Sequence, residues 1–435
     1  MTRDLVVRNI GSLITPAGRA PRLGAELGGV REIAAAAVVA QDGRITYVGP
    51  ESLLRPDEIP PGAPVLDADG AVVLPGFVDA HTHLAFAGDR DGEIRQRLAG
   101  ASYKEIAAAG GGIVRSVAAT RAADRGTLVT LLRSRLDEML RCGTTSAEVK
   151  SGYGLETSAE LRSLEAIGEA ARLHPVTVVP TFLGAHEVPP EHRDRRERYV
   201  EILVSEMIPE VARRGLATFA DVFCEEGVFA VAESRRVLEA ARAAGLALRI
   251  HADELCWTGG AELAGALGAR SADHLLFVSD AGMSALAAAG CAATLLPSAA
   301  FYLRLGRYAP ARALVQAGVP VALATDGNPG GGLSPSMPFA MTVACFAMGL
   351  SLEEALTAAT LNAAYSLGLE AERGSLETGK RADLVVLRSP RLLDLVRVGI
   401  PEGWGAVRRL GVVTAVALGV AVWRMGRLRL AGATD

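Results

Sequence analysis

Between Gly76 and about Leu369 the chain alternates short apolar or β-branched runs with Ala-, Leu- and Arg-rich stretches of helical periodicity. Successive βα units produce that alternation, and it commits the segment to a parallel sheet covered by helices. About eight runs can be marked: "VVLPGFVDAHTH", "TTSAEVKSG", "VTVVPTFLGAHE", "ATFADVFCEE", "LALRIHADE", "SADHLL", "CAATLLPS" and "VPVALATDGNPG". Nearly all finish in His, Asp, Glu, Lys or Cys. A (β/α)8 barrel carries its chemistry on the loops that follow the C-terminal ends of its strands. A doubly wound sheet also binds ligands at strand ends, but it wants a Gly-rich phosphate turn after the first strand. The first run here continues as "AHTHLAFAGDR", which is no such turn. The pattern predicts an α/β fold, a (β/α)8 TIM barrel.

The two ends read differently. Residues 1–75 hold short β-rich runs joined by Gly and Asp turns, and residues 371–435 return to strands. Neither end is long enough to bury a core alone, so together they are expected to form one small discontinuous β-sandwich domain around a barrel spanning residues 76–370. The segment Leu410–Trp423, "LGVVTAVALGVAVW", is too short to span a membrane and has Gly419 where a hairpin would turn; it reads as two strands. With 435 residues, half of them apolar, and a net charge of -4, the chain can bury a sizeable core. It is poorly suited to nucleic acid or a membrane surface. Five scattered cysteines form no disulfide framework, and the N-terminus has no long apolar stretch, so a cytoplasmic protein is expected.

Only seven histidines occur, and five of them (His81, His83, His186, His251 and His274) lie at the ends of candidate strands. His81 and His83, two residues apart on an extended chain, project to the same side. A catalytic first-row metal needs neutral imidazoles, often a carboxylate, and an open position. The first and eighth strands become neighbours when a barrel closes, which brings Asp326 towards the histidine pair. His81, His83, His251 and Asp326 are therefore the expected ligands of one Zn2+ or Fe3+ ion.

"PGFVDAHTH", a later single His and "TD" on the last strand resemble the amidohydrolase superfamily of metal-dependent hydrolases. The blocks "AGDRDGEIRQRLAGASYKEIAAAGGGI", "EVKSGYGLET", "FLGAHEVPPE", "DVFCEEGVF", "HADEL", "DHL" and "TDGNPGG" together resemble the imidazolonepropionase family, from the N-terminal β segment almost to the C-terminus. The resemblance implies a small-molecule substrate, 4-imidazolone-5-propanoate, opened by water to N-formimidoyl-L-glutamate in histidine degradation, and a homodimer. It also implies that Asp326, Glu254 and His274 handle protons, with the general base among them left open. Arg90 would clamp the substrate's carboxylate. Tyr103, Tyr153, His186, Glu254, Asn328 and Gly330 would contact the ring or tail. Many members carry a small hydroxyl residue at Gly331, where this chain has only a backbone amide to offer.

Binuclear relatives often bridge their metals with a carboxylated lysine on the fourth strand. Here that strand ends "DVFCEE", and Lys150 lies on the second, so one metal is expected. Cys224 reads as an inert buried thiol, and Glu148 and Glu225 as carboxylates that orient the ligands. Two other readings are an aminohydrolase acting on a nitrogen heterocycle, which would not need Arg90, and a non-catalytic scaffold, which would have lost ligands that this chain keeps.

Overall fold

The computed structural model describes residues 4–101, 105 and 111–397. Tyr103, the strand pair expected at Leu410–Trp423 and the rest of the C-terminal segment lie outside the described residues.

The N-terminal runs form β1 (Leu5–Pro16), β2 (Val30–Gln41), β3 (Arg44–Pro50), β4 (Val65–Asp67) and β5 (Val72–Pro75). Asp42 and Gly43, both at positive φ (50° and 77°), make the tight turn between β2 and β3, the backbone shape an Asp-Gly pair favours in a hairpin. These strands lie in one six-stranded sheet of order β14-β5-β1-β2-β3, with β4 on β1. The last strand, β14 (Leu384–Val386), pairs antiparallel with β5, so both ends of the described chain build this sheet. Leu5, Val7, Ile10, Leu13, Val38, Ile45, Val73 and Leu384 fill its own buried cluster.

At Gly76 the chain passes from β5 in that sheet to β6 (Phe77–Asp79) in the second sheet. The crossing is tight: a Cβ on Gly76 would lie 2.3 Å from the Thr145 hydroxyl oxygen. The second sheet is parallel throughout its eight strands. After β6 come β7 (Thr144–Lys150), β8 (Thr177–Ala185), β9 (Phe219–Cys224), β10 (Ala247–Ala252), β11 (Ser271–His274), β12 (Ala292–Leu295) and β13 (Val321–Leu323), each neighbouring the next. They coincide with the eight runs marked in the sequence.

The barrel closes just past the strand ends. Thr82 and Gly327 form a parallel bridge, His83 N donates to Gly327 O (3.0 Å), and Asp326 N donates to His81 O (3.2 Å). Below that seam the buried Asp79 carboxylate accepts from Thr325 N (3.1 Å) and Thr325 Oγ1 (2.5 Å). Closure thus sets His81, His83 and Asp326 side by side. Helices cover the outside; Thr157–Leu173, for example, turns Ala159, Leu164, Ala166, Ile167 and Ala170 inward. Among the described residues no helix is long and apolar enough to cross a membrane.

The barrel interior is not apolar at every level. Glu148 and Lys150 on β7, Asp221 on β9, Arg249 on β10 and Asp273 on β11 are all buried and form one ionic belt. Lys150 Nζ lies 2.7 Å from Glu148, 2.8 Å from Asp221 and 3.9 Å from Asp273, while Arg249 Nη2 lies 3.1 Å from Asp273. Burial favours the neutral amine of Lys150, but Asp221 and Glu148 outweigh it and hold the pKa above its ordinary value. Buried charges persist when they are paired in this way.

Candidate metal centre and substrate pocket

Above the belt the four expected ligands converge. His81 Nε2 is 3.1 Å from His83 Nε2, and His83 Nε2 is 3.3 Å from His251 Nε2. Asp326 Oδ1 lies 3.5 Å from His83 Nε2 and 3.7 Å from His81 Nε2. The belt fixes how two of these rings present themselves. His81 Nδ1 meets Asp273 Oδ2 at 2.6 Å, and His251 Nδ1 meets Asp221 at 3.1 Å. A carboxylate at Nδ1 keeps the proton there, so both Nε2 atoms offer lone pairs. Burial holds the pKa of His81, His83 and His274 well below the ordinary imidazole value, which keeps these rings neutral.

A cation placed between these Nε2 atoms and Asp326 would satisfy them together. Donors about 2.0–2.1 Å from a tetrahedral zinc stand about 3.3 Å apart, close to the separations of His81, His83 and Asp326, which form one group that could hold an ion. Among the described residues Asp326 Oδ1 and His83 Nδ1 are buried without a hydrogen-bond partner, and burial drives the Asp326 carboxyl up to about 7. A metal ion would reverse that penalty. The donor set therefore fits a first-row metal. His274 also reaches the cluster: His81, His251 and His274 form a second group that could hold an ion. Neither group contains a cysteine, and burial raises the Cys224 thiol above its ordinary pKa. The carboxylates that meet the Nδ1 atoms of His81 and His251 are Asp273 and Asp221, not the expected Glu148 and Glu225. Glu148 serves Lys150 and the Thr82 backbone instead. Glu225 accepts from the amides of Glu254 (3.0 Å) and Leu255 (2.9 Å) and so steadies the loop after β10.

Several residues at the rim carry left-handed backbone that a non-glycine residue adopts only at a cost: Asp326 (φ 53°), His274 (76°), Leu275 (62°) and Asp253 (52°). Asp253 is held by amides of the turn that follows, from Thr258 to Ala261. Strain of this kind gathers where side chains must be aimed.

A pocket of about 630 Å³, counting its open mouth, lies over the cluster. His83, His251, Asp326, Glu254 and His274 form its floor and flank, and Phe223, Ile113, Leu303 and Leu305 give it an apolar wall that the sequence did not reveal. Glu254 Oε1 stands 3.5 Å from His274 Nδ1, and burial, then the nearby Asp326 and Glu225 charges, raise its carboxyl well above the ordinary range. His186 stacks on His83 with ring centres 4.9 Å apart and faces the Gly152 carbonyl through Nδ1 at 2.9 Å. Tyr153 meets the His186 ring edge-on at 5.2 Å. Arg90 lies buried in the wall, beside Gly330.

Asn328 spends much of its capacity within its own loop. Its Oδ1 accepts from the amides of Gly330 (2.8 Å) and Gly331, and its Nδ2 donates to Asp326 O (2.9 Å). A Cβ at Gly331 would fall 2.6 Å from Asn328 Nδ2, so a hydroxyl side chain there would require Asn328 to move.

Known proteins share this fold and sequence. The profile of the Amidohydrolase family matches residues 72–402. The chain is 55% identical over 389 residues to an imidazolonepropionase of Symbiobacterium thermophilum, covering 89% of this chain and 91% of that one. It is 47% identical to an imidazolonepropionase of Geobacillus kaustophilus, covering 91% and 94%. Among solved structures it shares the fold of E. coli guanine deaminase (TM-score 0.66, 20% identity, 88% of each chain). It also shares the fold of a triazine hydrolase variant (TM-score 0.70, 17% identity, 99% of each chain). The aligned eight-stranded barrel, the extent of the profile match and the identity to these relatives lead to one conclusion: the chain belongs to the amidohydrolase family and, within it, to the imidazolonepropionases.

Proposed function

We propose that this protein hydrolyses 4-imidazolone-5-propanoate to N-formimidoyl-L-glutamate, in the degradation of histidine. The observation that carries the reading is one pocket holding both a neutral imidazole–carboxylate cluster and a buried arginine in its wall. The first suits amide hydrolysis and the second a substrate with a carboxylate tail.

His81, His83, His251 and Asp326 would hold one Zn2+ or Fe3+ per chain. Bound there, the metal supplies Lewis acidity that makes water nucleophilic near neutral pH and polarises a carbonyl. The chain's own groups do the rest. Asp326, beside the attacked carbon, takes a proton from water as the new C–O bond forms. The lactam C–N bond then breaks, and the ring nitrogen must gain a proton. Glu254 suits that donation, because burial and the nearby carboxylates raise its carboxyl well above the ordinary range and favour the protonated form, and His274 at 3.5 Å can pass a proton on. Arg90 anchors the tail, and Tyr153 and His186 flank the ring. Asn328 shapes the loop that places Gly330 and Gly331 against the substrate.

The same reading takes the protein as a cytoplasmic homodimer, its location supported by five free cysteines. It divides the chain into a barrel of residues 76–370 and a β-sandwich domain built from 1–75 and 371–435.

The clamp is tested by Arg90→Ala. Without the charge-assisted hydrogen bonds of the guanidinium, KM for the imidazolone should rise on the order of tenfold to a hundredfold while kcat changes far less. An unchanged KM removes Arg90 from the site.

A further inference from the structure

Arg90 does not stand alone. It precedes the helix Asp91–Leu98, and one turn into that helix the buried Glu93 faces it. Glu93 Oε2 accepts from Arg90 Nε at 2.9 Å and from Arg90 Nη2 at 2.7 Å, while its other oxygen, Oε1, accepts from Gly112 N at 2.9 Å. Each oxygen therefore has a separate task. Oε2 fixes the Nε–Nη2 edge of the guanidinium. Oε1 ties that edge to the start of the helix Ile113–Ala122, whose first residue, Ile113, lines the pocket.

The opposite constraint comes from the eighth loop. A Cβ on Gly330 would lie 2.4 Å from Arg90 Nη1, 2.7 Å from Cζ and 2.9 Å from Nη2. The guanidinium thus lies against the Gly330 backbone and fills the space a side chain would take. Held at one edge by Glu93 and on one face by Gly330, it has little freedom left. Nη1, which Glu93 does not touch, lies on the Gly330 side.

The charges support the same assignment. Burial pushes the Glu93 carboxyl up, but the Arg90 hydrogen bonds and charge, the Gly112 amide and Arg97 outweigh it and leave it below its ordinary value. Glu93 thus stays ionised between two buried arginines, Arg90 and Arg97.

We propose that Glu93 is a positioning residue that confers selectivity for a carboxylate-bearing substrate, by fixing the guanidinium of Arg90 against Gly330. The inference rests on the reading of Arg90 as the carboxylate clamp. A guanidinium fixed in advance loses less freedom on binding, so its orientation contributes to affinity as well as its charge.

The test compares Glu93→Gln, Gly330→Ala and Arg90→Ala in the metal-loaded full chain. Each is assayed with the imidazolone propanoate and with its carboxamide analogue, which lacks the tail charge. Glu93→Gln and Gly330→Ala should each raise KM for the carboxylate substrate about tenfold, with kcat within about twofold. With the carboxamide, Glu93→Gln should match the unsubstituted protein. A general loss of structure would instead lower kcat and affect both substrates equally. If Arg90→Ala raises KM for the carboxylate substrate and the other two do not, Glu93 has no positioning role and the clamp reading stands. If Arg90→Ala leaves KM unchanged, the clamp reading itself falls. If Glu93→Gln fails to fold, Glu93→Asp decides by the same two-substrate comparison, since it keeps the charge and draws the carboxylate back from the guanidinium.

Discussion

Lys150→Met should cost the folded state about 3–5 kcal/mol, the range found when one partner of a buried ion pair is removed. The ammonium group lies between Glu148 at 2.7 Å and Asp221 at 2.8 Å, and all three side chains are fully buried. Methionine fills a similar volume but leaves those carboxylates with little compensation. Arg249 cannot replace the missing charge: its nearest approach to Glu148 is 4.0 Å, and its close partner is Asp273. The midpoint of urea unfolding should fall with little change in slope. The damage should also reach the metal centre, because Asp221 orients His251. A midpoint close to that of the unsubstituted protein would mean that the belt is not what holds the barrel interior together.

Asp326→Ala should act in the opposite way, abolishing function while sparing the fold. Loss of an outer hydrogen-bond partner already costs about 10–100-fold in metal affinity or activity. Loss of Asp326, in the role of ligand and proton acceptor proposed above, should cost at least about a hundredfold in both. Stability of the metal-free protein should rise, not fall. Oδ1 of Asp326 has no hydrogen bond to lose, and burial raises its carboxyl to about 7. In the unfolded chain that carboxyl gives up its proton near 3.8, whereas the folded protein keeps it until about 7. Between those values the folded state binds more protons, so this group lowers stability as pH rises. Metal-free Asp326→Ala should therefore melt above the metal-free unsubstituted protein at pH 8, with the difference closing towards pH 4. Equal metal content in the two proteins would contradict the assignment.

Much of this arrangement is legible in the sequence, because it depends on periodicity and on rare residues. Apolar runs, nearly all ending in polar residues, mark the eight barrel strands, and histidine is scarce enough that five at strand ends stand out. The belt was not legible. Asp221, Arg249 and Asp273 sit inside the apolar runs, but strand alternation does not say which face of a closed barrel a charge occupies. Asp273 gains its meaning from register: it pairs with His251 across β10 and β11, and its side chain reaches His81. A charged residue inside an otherwise apolar strand was the available cue. Glu93 was hidden for a different reason. It follows Arg90 by three residues, and such i,i+3 pairs are usually solvent-exposed and weak. Only the burial of both partners, and the Gly112 amide on the other oxygen, give this pair a role. At Asn328 the sequence marked a polar loop residue, and the structure shows how much of its capacity the loop itself takes up.

The central claim is that this pocket opens the imidazolone ring, and the most direct test is the near-UV absorbance of 4-imidazolone-5-propanoate. On adding metal-loaded protein, the absorbance should fall with time as N-formimidoyl-L-glutamate accumulates in equal amount. Protein stripped of metal should leave it unchanged. No decay with protein that carries one metal ion per chain would contradict the proposed function.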